Sequence, residues 1–161
     1  MSAEFRAEAH AALHPGQTAA IVVNGERVGW LGCIHPRLAG HLEIPKNTYL
    51  FELKLGVLLK GGVPKFQKLS RFPSIRRDLA YVVNVETETG ALCHTIEQQA
   101  GALLQDLLVF DVYQGGGIES GRKSIALGLI LQDSSRTLTD EDVDTLIAAI
   151  SHRLETEYGA T

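Results

Sequence analysis

Five segments in the order strand, helix, strand, strand, helix fill the second half of the chain and leave it few ways to fold. The first strand is predicted over residues 78–84. A helix follows over 88–100, with Leu92, Ile96 and Ala100 at helical spacing and Gly101 in the stop position. The second strand is Leu107-Leu108-Val109-Phe110-Asp111-Val112-Tyr113, and the loop from Gln114 to Gly121 leads into a third from Lys123 to Leu131. Thr139-Asp140-Glu141-Asp142 reads as a capping box with acids at the positive end of the last helix. Val143, Leu146, Ile147, Ile150 and Leu154 make one stripe along that helix, and Gly159 stops it.

This β-α-β-β-α order belongs to the α+β class and is one strand short of the ferredoxin-like β-α-β-β-α-β sandwich; the chain stops at Thr161, where the fourth strand is due. The segment leading in is Phe72-Pro73-Ser74-Ile75-Arg76-Arg77-Asp78-Leu79. Pro73 presets the direction of entry, and Arg76 and Arg77 leave the strand as guanidinium forks suited to phosphate or carboxylate. Pairing with Asp78 or another nearby carboxylate is their plainer role.

Gly61-Gly62-Val63-Pro64 marks a boundary, which divides the chain into residues 1–62 and 66–161. Upstream, Asn24-Gly25 between two β-rich runs signals a hairpin with a type I′ turn. Another extended run, Thr48 to Leu53, follows the breaker Pro45-Lys46-Asn47. Three strands and a short helical piece are too little to close a core, so this part reads as the β-rich end of a larger domain. Residues 1–14 are alanine-rich and carry no assignment.

At 161 residues, 45% hydrophobic and 21% charged, the chain has the make-up of a soluble globular protein. No apolar run approaches the roughly 20 residues of a membrane span, and Met1 to Arg6 holds no apolar signal-peptide core. Cys33 and Cys93 stand alone, which points to a cytoplasmic location. The net charge of −4, with acids crowded into the last quarter, argues against a general nucleic-acid binder. Only Lys68, Arg71, Arg76, Arg77, Arg122 and Lys123 argue the other way, as possible phosphate contacts. His10, His14, His35 and His41 match no metal-site spacing, and Asp140, Glu141 and Asp142 diverge as successive residues of a helix, so no metal is expected. No Ser-His-Asp constellation or phosphate-cradling loop is present, and Gly115-Gly116-Gly117 joins two strands rather than opening a helix.

In a sandwich of this kind both helices cover one sheet face and the other stays open. Alternation with period two puts Leu108, Phe110 and Val112 on the covered side, with Ile125, Leu127, Leu129 and Leu131. It puts Val109, Asp111 and Tyr113 on the open side, with Ser124, Ala126 and Gly128. An aromatic ring, a carboxylate and a hydroxyl over small residues make a platform for a flat, hydrogen-bonding ligand. The aspartate accepts from a base edge that donates, as guanine does. The plainer alternative has Tyr113 covering the sheet and Asp111 capping the glycine loop.

Phe72 to Leu79, Phe110-Asp111-Val112-Tyr113, Lys123-Ser124, Gln132-Asp133 and Arg136-Thr137-Leu138-Thr139 together resemble the C-terminal ferredoxin-fold anticodon-binding domain of the bacterial phenylalanyl-tRNA synthetase beta chain. His14-Pro15-Gly16-Gln17, Gly29-Trp30-Leu31-Gly32, His35-Pro36 and Phe51-Glu52-Leu53 resemble the end of that chain's catalytic-like domain, a class II synthetase core without its chemistry. The resemblance implies part of an ATP-dependent ligase that assembles with an alpha chain as an α2β2 heterotetramer and binds phenylalanine tRNA, with no role for DNA or membrane. ATP and magnesium would serve the whole enzyme, whose catalytic site lies in the alpha chain; this chain alone would need no cofactor and catalyse nothing. The resemblance also carries the family's contacts to guanine at the first anticodon base onto Asp111, Tyr113 and Ser124. Two other classes share the element order: an amino-acid-binding regulatory module, which would dimerise around its ligand, and a purely structural interaction domain.

Overall fold

Residues 3–59 and 70–161 are described in the computed structural model. They form two units, Met1–Lys65 and Phe66–Thr161. The boundary expected at Gly61 to Pro64 lies outside the described residues.

The first unit is a four-stranded antiparallel sheet in the order β1-β2-β3-β4, from β1 (Ala3–Ala7), β2 (Leu13–Val23), β3 (Glu26–Ile34) and β4 (Tyr49–Leu53). Between β3 and β4 lies helix α1 (Pro36–His41), and α2 (Leu55–Leu58) follows β4. Asn24 and Gly25 have φ of 51° and 78°, as the type I′ turn requires. β1 was not expected. Its five residues are all exposed, and it is a strand because it pairs with β2 from Ala3↔Val23 to Ala7↔Ala19.

The second unit holds β5 (Ile75–Asn84), α3 (Thr89–Ala100), β6 (Leu104–Tyr113), β7 (Arg122–Leu131) and α4 (Asp140–Tyr158). Its sheet order is β5-β7-β6, antiparallel throughout, as the β-α-β-β-α reading requires. Ile125, Leu127, Leu129 and Leu131 of β7 are fully buried against Leu92 and Ile96 of α3 and Val143, Ile150 and Leu154 of α4. Beside β5, Thr161 and Val82 exchange both backbone hydrogen bonds, at 2.8 and 3.1 Å. Thr161 thus occupies the slot beside the first strand that the fourth strand of a ferredoxin-like sheet takes.

Alternation along β6 is broken twice. Pairing with β7 shifts register between Leu104 and Asp106 and again between Val109 and Asp111, so that Gln105 and Phe110 are extra residues. Leu107 and Val109 therefore pack on the core, opposite Leu129 and Leu127. Leu108 and Phe110, expected on the helix-covered side, are instead 55% and 50% exposed. Val109, expected on the open side, is not there.

Helix α4 begins on a capping box: Thr139 Oγ1 accepts from the Asp142 N–H while the Asp142 carboxylate accepts from the Thr139 N–H. Arg136 adds a fork onto the same carboxylate. The Arg136 guanidinium first, and the Thr139 donors after it, hold the Asp142 carboxyl far below the usual range. A depressed folded-state value means that the contribution is complete above the unfolded-state pKa of about 4 and is lost as pH falls below it. The stability gap between wild type and Asp142→Asn is accordingly widest near neutrality and closes in acid. Thermal melts of the two proteins across the acid range measure it; an equal gap at all pH values contradicts the assignment.

Candidate functional site

The open face of the second sheet is built from the even-numbered residues of β5 and β7 and, past its second bulge, the odd-numbered residues of β6. Asp111 lies opposite Ala126, and Tyr113 opposite Ser124. The three residues picked out by alternation therefore do share the open face. They do so because the bulge at Phe110 reverses the parity that the first half of β6 sets.

No hydrogen bond or ion pair joins the Asp111 carboxylate or the Ser124 hydroxyl to another described residue, so Asp111 does not cap the glycine loop. Tyr113 is held differently. Its hydroxyl donates to the Gly116 carbonyl at 3.2 Å, and its ring end rests against Gly115. A Cβ on Gly115 would stand 2.8 Å from the Tyr113 Oη and 3.1 Å from Cζ. The glycine run that joins the two strands is thus a rest for the tyrosine ring, which stays 47% exposed. An oriented ring beside an unpartnered acceptor and a hydroxyl suits a flat ligand that stacks and donates hydrogen bonds.

The five candidate phosphate contacts among the described residues do not gather into one patch. Arg76 lies on the open face, its Nε donating to Asp78 at 2.8 Å. Arg77, on the opposite parity, donates to Asp140 at the start of α4 at 3.0 Å. Arg122 donates to the carbonyls of Val82 and Gly159, at 2.6 and 2.8 Å, and so ties the end of α4 to β5. Lys123 follows the helix-covered parity opposite Val83. Arg71 lies over the Phe72 ring, 5.3 Å from its centroid. Lys68 falls outside the described residues.

Among the described residues no group of three or more His, Cys, Asp or Glu side chains is placed to hold a metal ion. The histidines serve locally: His10 stacks on Trp30 with centroids 4.5 Å apart, and Nδ1 of His14 and of His35 accept from the N–H groups of Gly16 and Arg37. No helix among the described residues is long and apolar enough to cross a membrane.

The sequence of residues 70–161 matches the family model described as the ferredoxin-fold anticodon binding domain, and residues 1–55 match that of the phenylalanyl tRNA synthetase beta chain CLM domain. Among curated proteins, the chain is 44% identical over 159 residues to the phenylalanine–tRNA ligase beta subunit of Methylococcus capsulatus, covering 99% of this chain and 20% of the relative. It is 48% identical over 157 residues to the same subunit from Pseudomonas putida, and 45% over 157 residues to that from Nitrosococcus oceani, each covering 98% of this chain and 20% of the relative. The chain spans about a fifth of the length of the curated relatives it matches.

Proposed function

The chain belongs to the ferredoxin-fold anticodon binding domain family, and on that footing we propose that it is the tRNA-binding part of a phenylalanine–tRNA ligase beta subunit. Its open face reads the anticodon of phenylalanine tRNA: Tyr113 stacks the first base, and Asp111 and Ser124 hydrogen-bond the edge of a guanine. The observation that carries this reading is the conjunction of a tyrosine ring seated on Gly115 with a carboxylate and a hydroxyl that have no partner among the described residues. The net charge of −4 is compatible with it, since base contacts specify while phosphate contacts need only local cations. The likeness to beta subunits supports an alpha-chain partner in an α2β2 ligase of the cytoplasm. Use of ATP and magnesium falls to that partner, and this chain by itself is non-catalytic.

Binding of phenylalanine tRNA transcripts to the whole ligase tests the reading. A transcript with adenine in place of guanine at the first anticodon position loses the donors that Asp111 accepts from. Its affinity falls by about 1–3 kcal/mol, the cost of leaving such a partner unmet. Equal affinity for the two transcripts would refute guanine recognition on this face.

Gly115→Ala tests the seating of the ring. The new Cβ forces the tyrosine off Gly115 and strains its bond to Gly116. Affinity for tRNA drops, and stability falls as well by about 1–3 kcal/mol, since alanine is strained at the φ of 155° that Gly115 holds. Unchanged affinity would show that the loop does not orient the ring.

A further inference from the structure

The open face extends past Tyr113, Asp111 and Ser124, and its remainder has features of its own. Phe110 has no partner on β7, being the extra residue of the bulge, and its ring is half exposed next to Asp111. Extra residues of bulges re-aim side chains, and here alternation from the core-packed Val109 sends the phenyl ring to the open side. Tyr113 is three positions further on, so the Cα atoms of the two residues lie within about 10 Å along the strand. Bases of an unstacked single strand splay out and can settle on separate aromatic rings.

What surrounds Phe110 is low and flat. Ala126 lies opposite the neighbouring Asp111, Ala80 is the next residue across the sheet, and Leu108 is exposed two positions back. Beyond them the Arg76–Asp78 pair lies over Gly128: a Cβ there would stand 3.1 Å from Asp78 Oδ1 and 3.5 Å from Arg76 Nη2. Glycine at this position lets the guanidinium settle on the sheet, where it closes the apolar strip with a cation suited to phosphate.

We propose that Phe110 stacks a second base, the neighbour of the one on Tyr113, so that the open face holds two consecutive nucleotides of a single RNA strand. This rests on the reading of that face as an anticodon site. Stacking on a phenyl ring is tolerant of base identity, so the second position adds affinity without adding sequence preference.

The test uses the whole ligase with intact phenylalanine tRNA and with two tRNAs abasic at either neighbour of the first anticodon base. Phe110→Ala is expected to weaken binding of intact tRNA about 5- to 150-fold, the range of one lost stack. With one of the abasic tRNAs, wild type and Phe110→Ala bind alike, while Tyr113→Ala still weakens binding. Phe110→Tyr keeps full affinity, and Phe110→Leu, which preserves packing without an aromatic face, loses it. Wild-type affinity in Phe110→Ala together with a loss in Tyr113→Ala overturns the second position alone. Wild-type affinity in both variants overturns the reading of the face. An equal loss in Phe110→Ala on all three tRNAs assigns the ring to the fold and overturns the proposal as well.

Discussion

Leu127→Ala lowers the stability of the ferredoxin-fold unit by about 2–5 kcal/mol, whereas Leu108→Ala, on the adjacent strand, changes it by less than about 1 kcal/mol. Leu127 is 0% exposed, in the middle of the central strand β7 and enclosed by both helices. Removing its branched end leaves a cavity that α3 and α4, anchored along their length, cannot close. Leu108 lies on the open face at 55% exposure, and its truncation leaves no cavity. Urea unfolding of the two variants at constant m-value measures the difference. Uninterrupted alternation along β6 would put Leu108 in the core and make both losses large. Comparable costs would therefore remove the bulges from the account.

Tyr113→Ala in the whole ligase weakens binding of phenylalanine tRNA by about 1–3 kcal/mol, the usual loss when a stacked base gives up its aromatic partner. Asp111→Ala acts on preference instead: discrimination between guanine and adenine at the first anticodon position shrinks, because the donors of guanine lose their acceptor. Neither substitution unfolds the domain, since both residues lie on the exposed face and the Asp111 carboxylate bonds to no other described residue. Affinities of the two variants for both tRNAs, alongside thermal melts, separate the roles. A Tyr113→Ala protein that is folded and binds with wild-type affinity removes the stack. An Asp111→Ala protein that discriminates as well as wild type removes the acceptor.

Much of this molecule is legible without coordinates, and the legible parts share a cause. The Asn24-Gly25 turn, the capping box from Thr139 to Asp142 and the stop at Gly159 are each encoded by a few adjacent residues whose backbone or side-chain chemistry admits little else. The order of strands and helices after residue 75 follows from periodicity within single segments, and that order already selects the ferredoxin-like arrangement. Arg77 and Arg122 are different, since nothing near them in the chain distinguishes a fold-holding arginine from a free one. Their partners, Asp140 for Arg77 and Val82 and Gly159 for Arg122, lie 37 to 63 residues away.

The site itself divides along the same line. Asp111, Tyr113 and Ser124 were picked out by an alternation that β6 does not keep, and they share a face only because the extra residue at Phe110 reverses the parity. A bulge is a property of two strands in register, so neither strand announces it alone. The same holds for β1, whose short alternation buries none of its residues and which is a strand through its bonds to β2. It holds too for the ring of Tyr113, whose seat on Gly115 depends on the course of a loop. What the sequence determined by itself is therefore what short-range chemistry and period can encode: element types, their ends and their order. Which residues face the open side, which cations are committed to the fold and how the tyrosine is held were decided by pairing across the sheet, where contacts distant in sequence set the geometry.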